Sequence, residues 1–158
     1  MIAVVQRAAR GKVTVENEVV GQIGNGLVVL ASVHADDTDA DIVWTAAKLA
    51  TMRIFSNGEK YFDLDVMQVK GSVLLISNFT VAADTRSGRR PSLNAAAPPE
   101  KGRVDFDALV AAVRGLGVPV ETGRFGADMK VELENDGPVT FIVDSREGRK
   151  KLPAAITP

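Results

Sequence analysis

The chain has 158 residues, the length of one ordinary domain, and a chain of this size buries roughly 70% of the surface it exposes when unfolded. Hydrophobic residues make up 46% and charged residues 25%, the mean hydropathy is +0.06 and the net charge is −1, which fits a soluble globular domain and leaves no global field to attract a polyanion. The chain has no cysteine and one histidine, His34, so disulfides, thiolate nucleophiles, cysteine-ligated zinc and iron–sulfur clusters are excluded, and any imidazole chemistry falls to one side chain.

The apolar run Met1–Val5 is five residues, shorter than a signal-peptide core or a membrane span, and the expected address is the cytoplasm. Ile2 to Val5 reads as a strand, and Val13 to Gly21 alternates about a polar Glu16-Asn17-Glu18 centre, the pattern of a hairpin. Gly24-Asn25-Gly26 precedes a strand, whereas a dinucleotide loop follows one and opens a helix, so it reads as a turn. Leu27 to Val33 is a nearly continuous apolar run, suited to a strand buried on both faces. His34 follows at the strand end and reads as a surface or capping residue.

The run Asp36 to Asp41 lacks the central glycine and closing glutamate of a calcium loop. Thr38 with Asp41 three positions on instead predicts a capped helix over about residues 39–52, with Ile42, Ala46, Leu49 and Ala50 at helical spacing. Tyr61 to Leu64 and Val66 to Lys70 are read as part of a mostly β stretch, followed by a buried strand at Val73 to Ile76. Residues 82–102 lose periodicity, and a loop that long in a small domain usually carries function. Val104, Phe106, Leu109, Val110, Val113 and Leu116 predict a second helix. Met129 to Leu133 and Val139 to Val143 then read as a hairpin joined by Asn135-Asp136-Gly137-Pro138. The expected fold is α/β of the α+β type: a β-rich single domain over 1–144 with a mainly antiparallel sheet or barrel, two main helices, and a basic tail over 145–158.

Three constellations could carry chemistry. Ser77-Asn78-Phe79-Thr80 follows directly on a buried strand, where backbone N–H groups leave the ladder and could form an oxyanion site. The plainer reading has Ser77 and Thr80 satisfying local backbone and Phe79 in the core, and Thr80 has no evident base beside it. Arg86, Arg89 and Arg90 less Asp84 give a local charge of +2 on a glycine-containing loop, which serves equally as a phosphate grip or a solvated surface. Asn135 to Thr140, with Gly137-Pro138 at its centre, is compositionally a turn whose X-Pro isomer is open.

Together and in these positions, Met1 to Arg7, Ser77-Asn78-Phe79-Thr80, Ala83 to Ser92, Ala95 to Glu100, Glu121 to Met129 and Asn135 to Thr140 resemble the D-aminoacyl-tRNA deacylase family, over about residues 1–144. The resemblance implies a homodimer that needs no metal or organic cofactor and hydrolyses the ester between a D-amino acid, or glycine, and the 3′-terminal adenosine of tRNA. It implies catalytic places for Ser77, Phe79 and Thr80, with N–H groups near Ser77 and Phe79 polarising the ester carbonyl. It makes Gly137-Pro138 a cis element that enters the partner subunit's site and excludes an L side chain, with Arg7 bracing it and Met129 lining the pocket. Arg86, Arg89 and Arg90 become tRNA phosphate contacts. Where the family usually has Gln, this chain has Asn78, one methylene shorter, which affects a side-chain contact to the adenosine but not the backbone role.

Two mechanisms follow from the resemblance: Thr80 as a nucleophile forming an acyl-enzyme, or a polarised ester attacked by water with help from the tRNA 2′-hydroxyl. The second is favoured, because Thr80 lacks a base and an aminoacyl ester needs less activation than an amide. The competing class is a non-catalytic module that grips the end of a tRNA, and a third reading has the dimer and loops serving assembly alone.

Overall fold

In the computed structural model, which describes residues 1–148, strand β1 (Ile2–Val15) organises the sheet because it is long enough to serve three partners. Its first half pairs antiparallel with β3 (Gly26–Ser32) and its second half with β2 (Glu18–Ile23), while β6 (Lys130–Asp144) runs along its other edge. Beyond β3 the sheet continues in parallel through β4 (Ser72–Ser77) to β5 (Val120–Thr122). The sheet is therefore mixed, with three antiparallel and two parallel ladders, and curls until β2 approaches β5: a Cβ placed on Gly21 would lie 2.4 Å from the Thr122 carbonyl oxygen. The β1–β2 hairpin turns at Glu16 and Asn17, both in the left-handed region, as a tight two-residue turn requires.

Helices α1 (Asp39–Thr51) and α2 (Pro99–Gly115) cover one face. Ile42 and Leu49 from α1, and Phe106 and Leu109 from α2, pack onto Val5, Val29 and Leu75 of the sheet. The opposite face of the same strands buries Val28, Leu74 and Ile76 against Val13 and Ile23 inside the curl. Both faces of β3 and β4 are thus covered, which is why their sequences are nearly unbroken apolar runs; fully burying each Leu or Val there contributes about 1.5–3 kcal/mol. Gly26 is required where β3 starts, because a Cβ there would meet the Ser72 carbonyl oxygen at 1.9 Å. Among the described residues no helix is long and apolar enough to cross a membrane.

Four local expectations are corrected. Residues 129–143 form no hairpin: β6 is one strand, and both of its apolar stretches pair with β1 in the same direction. The ladder runs from Gln6↔Thr140 to Ala8↔Asn135, so two steps of β1 face five of β6 and Asp136–Val139 is looped out. The Asn135 side chain closes that excursion by accepting from the Val139 N–H at 2.7 Å and donating to its carbonyl at 3.1 Å, in place of a strand partner. Residues 61–70 are turns apart from a Phe55↔Leu64 bridge, since short apolar stretches without ladder partners do not make strands. The second helix starts at Pro99, five residues before its first apolar position at Val104, because proline at the first turn needs no N–H partner.

His34 is buried rather than at the surface. Its N–H donates to Asp37 Oδ2 at 2.7 Å and its Nδ1 lies 3.2 Å from Arg146 Nη1; burial, and then that guanidinium, lower its pKa. The acidic run is used structurally: Asp37 pairs with the Met1 ammonium, and Asp41 accepts from Thr38 N–H at 3.0 Å, Thr38 Oγ1 at 2.8 Å and Ser145 Oγ at 2.7 Å. Ser145, buried, begins a one-turn helix α3 (Ser145–Gly148), and the basic residues Arg149, Lys150 and Lys151 lie outside the described residues.

Candidate active site

β4 ends at Ser77 at the mouth of a cleft of about 550 Å³, within the roughly 300–1,000 Å³ usual for small-molecule sites. Ser77, Asn78 and Phe79 form one wall, and Phe106, Phe125 and Met129 contribute to the apolar remainder. The Asn78 N–H is spent on the Ala31 carbonyl of the neighbouring strand at 2.8 Å, which fixes where the chain leaves the sheet. The chain then winds into a 3₁₀ turn over Phe79–Ala82, capped by Asn78: its Oδ1 accepts from Thr80 N–H at 3.1 Å and from Thr80 Oγ1 at 2.5 Å. A Gln would carry the acceptor one methylene further out, so the short side chain suits this capping.

The consequence is a division among the donors of the turn. Asn78 and Thr80 have committed their N–H groups, whereas the Phe79 N–H, first in the turn, and the Ser77 hydroxyl have no acceptor among the described residues. Ser32 Oγ donates to the Phe79 carbonyl at 3.4 Å and so holds the next peptide along, the one between Phe79 and Thr80. Thr80 is exposed, and its hydroxyl proton points at an amide oxygen, which is no base. Met129 lines the cleft and packs toward Ile76 and Leu74.

The Gly137-Pro138 bond is cis, and it does not line this cleft. The ladder explains why: the excursion opens opposite Gln6–Ala8, which pair with Val28–Gly26, and Gly26 pairs with Ser72, whereas Ser77 pairs with Ala31. The two elements lie toward opposite ends of the sheet, separated by three to five residues of strand, about 10–17 Å at roughly 3.3 Å per residue. Arg7 reaches the excursion from below: buried, it donates from Nε to the Asp136 carbonyl at 2.9 Å and from Nη1 to the Ile54 carbonyl at 2.7 Å, and its Nε lies 3.0 Å from Asp136 Oδ2.

Of the three loop arginines, Arg86 is occupied: it chelates Asp84 with Nε and Nη2 at 2.9 and 2.6 Å, holding that carboxyl well below the usual carboxylate range. Arg89 and Arg90 are exposed and free of ion pairs among the described residues. A second groove of about 600 Å³ crosses Arg10, Lys12, Glu132 and Glu134, but its cations are already paired across strands at 3.0 Å and it collects no strand-end donors. Several cleft residues carry no site signal in the sequence: Phe106 reads only as a helix core position, and Phe125 lies inside the Glu121–Met129 motif with no periodicity to mark it as a site residue.

The fold and cleft define a single-domain α+β protein that presents a free backbone N–H and a free hydroxyl at a strand end. Residues 4–144 match the family described as D-Tyr-tRNA(Tyr) deacylase. The chain is 52% identical over 149 residues to a D-aminoacyl-tRNA deacylase of Chloroflexus aurantiacus, covering 94% of this chain and 93% of that one. It is 47% identical over 146 residues to a D-aminoacyl-tRNA deacylase of Geobacter sulfurreducens, covering 92% and 96%. The solved structure of a c-Myc DNA unwinding element binding protein superposes with a TM-score of 0.87 at 32% identity, covering 91% of this chain and 98% of that one. The chain belongs to the D-aminoacyl-tRNA deacylase family, a family of hydrolases.

Proposed function

We propose that this protein hydrolyses the ester linking a D-amino acid, or glycine, to the 3′-terminal adenosine of tRNA, releasing free amino acid and tRNA. The observation that carries the reading is the Phe79 N–H left without an acceptor at the mouth of an apolar cleft, in a chain of this family. A water oxygen attacks the ester carbonyl carbon, and the negative charge that develops on the carbonyl oxygen is met by this N–H, with the Ser77 hydroxyl beside it. The bond to the 3′-oxygen then breaks, and that oxygen takes up the proton given by water, with the neighbouring 2′-hydroxyl relaying it.

Thr80 plays no nucleophilic part in this scheme, because its hydroxyl donates to Asn78 Oδ1 and faces no base. Thr80→Ala is therefore expected to keep kcat within about tenfold of wild type, since it removes one exposed hydrogen bond. Single-turnover deacylation of D-tyrosyl-tRNA checks this, and a trapped ester on Thr80 would show the scheme to be wrong.

Selection between D and L substrates requires the Gly137-Pro138 excursion to reach a cleft that its own chain holds at the other end of the sheet, so the working unit is a homodimer in which each excursion serves the partner. The apolar row Leu30, Val4 and Ile142, side by side across three strands on the face away from the helices, supports this reading; Ile142 is 71% exposed in the single chain. A two-fold dimer covering that row exchanges equivalent surfaces. Arg89 and Arg90 are the loop groups available for tRNA phosphates, with Arg86 ordering the loop through Asp84. Release of labelled tyrosine from D- and L-tyrosyl-tRNA at substoichiometric protein tests the reading: the D ester is consumed and the L ester persists. Equal loss of both would defeat the chiral assignment, and binding without turnover would make the protein a tRNA-end-binding module.

A further inference from the structure

The geometry points to Arg103 as the residue that binds the phosphodiester on the 5′ side of the terminal adenosine. The assignment rests on the deacylase reading above and concerns a residue outside the motifs that carry it. Arg103 lies on α2 at the rim of the cleft, exposed, with its guanidinium carbon 4.7 Å from the centre of the Phe125 ring, and Phe125 lines the cleft. One guanidinium nitrogen donates to the Phe125 carbonyl at 3.4 Å.

The ring is itself held in place. Phe106 packs against it at 6.1 Å between centres, and Gly102 lets it approach the helix, where a Cβ would come within 3.4 Å of its Cζ. A cation stacked on a fixed ring loses little freedom when it binds, and the exposed guanidinium keeps further N–H groups in a planar fork suited to a phosphate. On the same helix Lys101 is spent on Asp105, whereas Arg103 has no carboxylate partner among the described residues. With the ester at Ser77 and Phe79, the nucleoside spans the apolar floor toward Phe125, and its 5′-phosphate emerges at this rim.

The test compares two minimal esters, 3′-O-(D-tyrosyl)adenosine and the same compound with a 5′-phosphate. Wild type is expected to prefer the phosphorylated ester by about tenfold in kcat/KM, as one charge-assisted contact allows. Arg103→Ala should lose that preference while turning over the phosphate-free ester as wild type does, and Arg103→Lys should recover part of it. On intact D-tyrosyl-tRNA, Arg103→Ala should lower the salt dependence of KM by about one unit of slope. A preference that survives in Arg103→Ala, an absent preference in wild type, or an equal loss on both esters would overturn the assignment. Hydrolysis of neither ester by wild type, with D-tyrosyl-tRNA persisting as well, would instead overturn the deacylase reading; independently of turnover, adenosine 5′-monophosphate but not adenosine should bind Arg103→Ala more weakly than wild type, and equal binding of the monophosphate would overturn the phosphate contact.

Discussion

Gly137→Ala is expected to lower kcat/KM toward D-aminoacyl-tRNA by about a hundredfold or more, in a protein that stays folded. Gly137 has φ +155°, and a Cβ there would stand 2.5 Å from the Val139 nitrogen and 2.5 Å from Val139 Cγ2. The Val139 N–H is the group that Asn135 Oδ1 holds at 2.7 Å, so the clash falls on the bond that closes the excursion. Relief requires Asp136 to Pro138 to move, and displacing a positioning element by about 1 Å commonly costs about 10²-fold. The strain adds about 1–3 kcal/mol to the folded state. Gly117→Ala is the matched control: Gly117 also has a left-handed φ, +88°, but a Cβ there would meet nothing within 4 Å. Steady-state kinetics with thermal melts on both variants decide the matter. Equal kinetics for Gly137→Ala and wild type would remove the excursion from the site.

Arg7→Met is expected to cost both stability and activity. The guanidinium holds Asp136, the buried Ile54 carbonyl and, at 3.3 Å, the Tyr61 hydroxyl, while its carbon lies 5.0 Å from the Tyr61 ring centre. Tyr61 packs on Phe62 and Phe62 on Phe141 of β6, so one side chain joins the excursion, residues 54–62 and the sheet. Removing it strands the Ile54 carbonyl at about 1–3 kcal/mol. The Asp136 side chain is 56% exposed, so water compensates much of its lost partner and the total should come to about 2–4 kcal/mol. For a chain of this size that corresponds to a fall in Tm of roughly 10 °C. Below that temperature kcat/KM should still be down about 10²-fold, because Asp136 loses its anchor. A melting shift with unchanged kinetics would make Arg7 a purely structural residue.

What could be read from the residues followed the reach of local chemistry. The Glu16-Asn17 turn, the start of α1 near Thr38 and Asp41, and the doubly buried runs of β3 and β4 are written in neighbouring side chains, so short-range rules find them. Each half of β6 reads as a strand in the sequence, and each is strand in the fold. Periodicity distinguishes strand from helix but is silent on the partner, and only the shared β1 partner turns an apparent hairpin loop into an excursion from one strand. The burial of His34 has the same origin: a polar residue after a strand reads locally as a surface residue, yet Asp37 and Arg146, the latter 112 positions away in sequence, meet it in space.

The candidate site shows the same division. Ser77 to Thr80, Gly137-Pro138 and Arg7 stand out in the sequence by motif, and absent cysteine and scarce histidine already pointed away from thiol and imidazole chemistry. Which N–H of the turn is free, that Thr80 is tied to Asn78, and that Arg86 is spent on Asp84 are set by hydrogen bonds whose geometry no spacing rule contains. Phe125 and Arg103 come together 22 residues apart because the chain after α2 folds back along it. The sequence by itself therefore determined the class of chemistry and most of the elements, since these depend on residue type and near neighbours. The tertiary structure alone decided which donors are free and which cations are already paired, since that depends on contacts between residues distant in the chain.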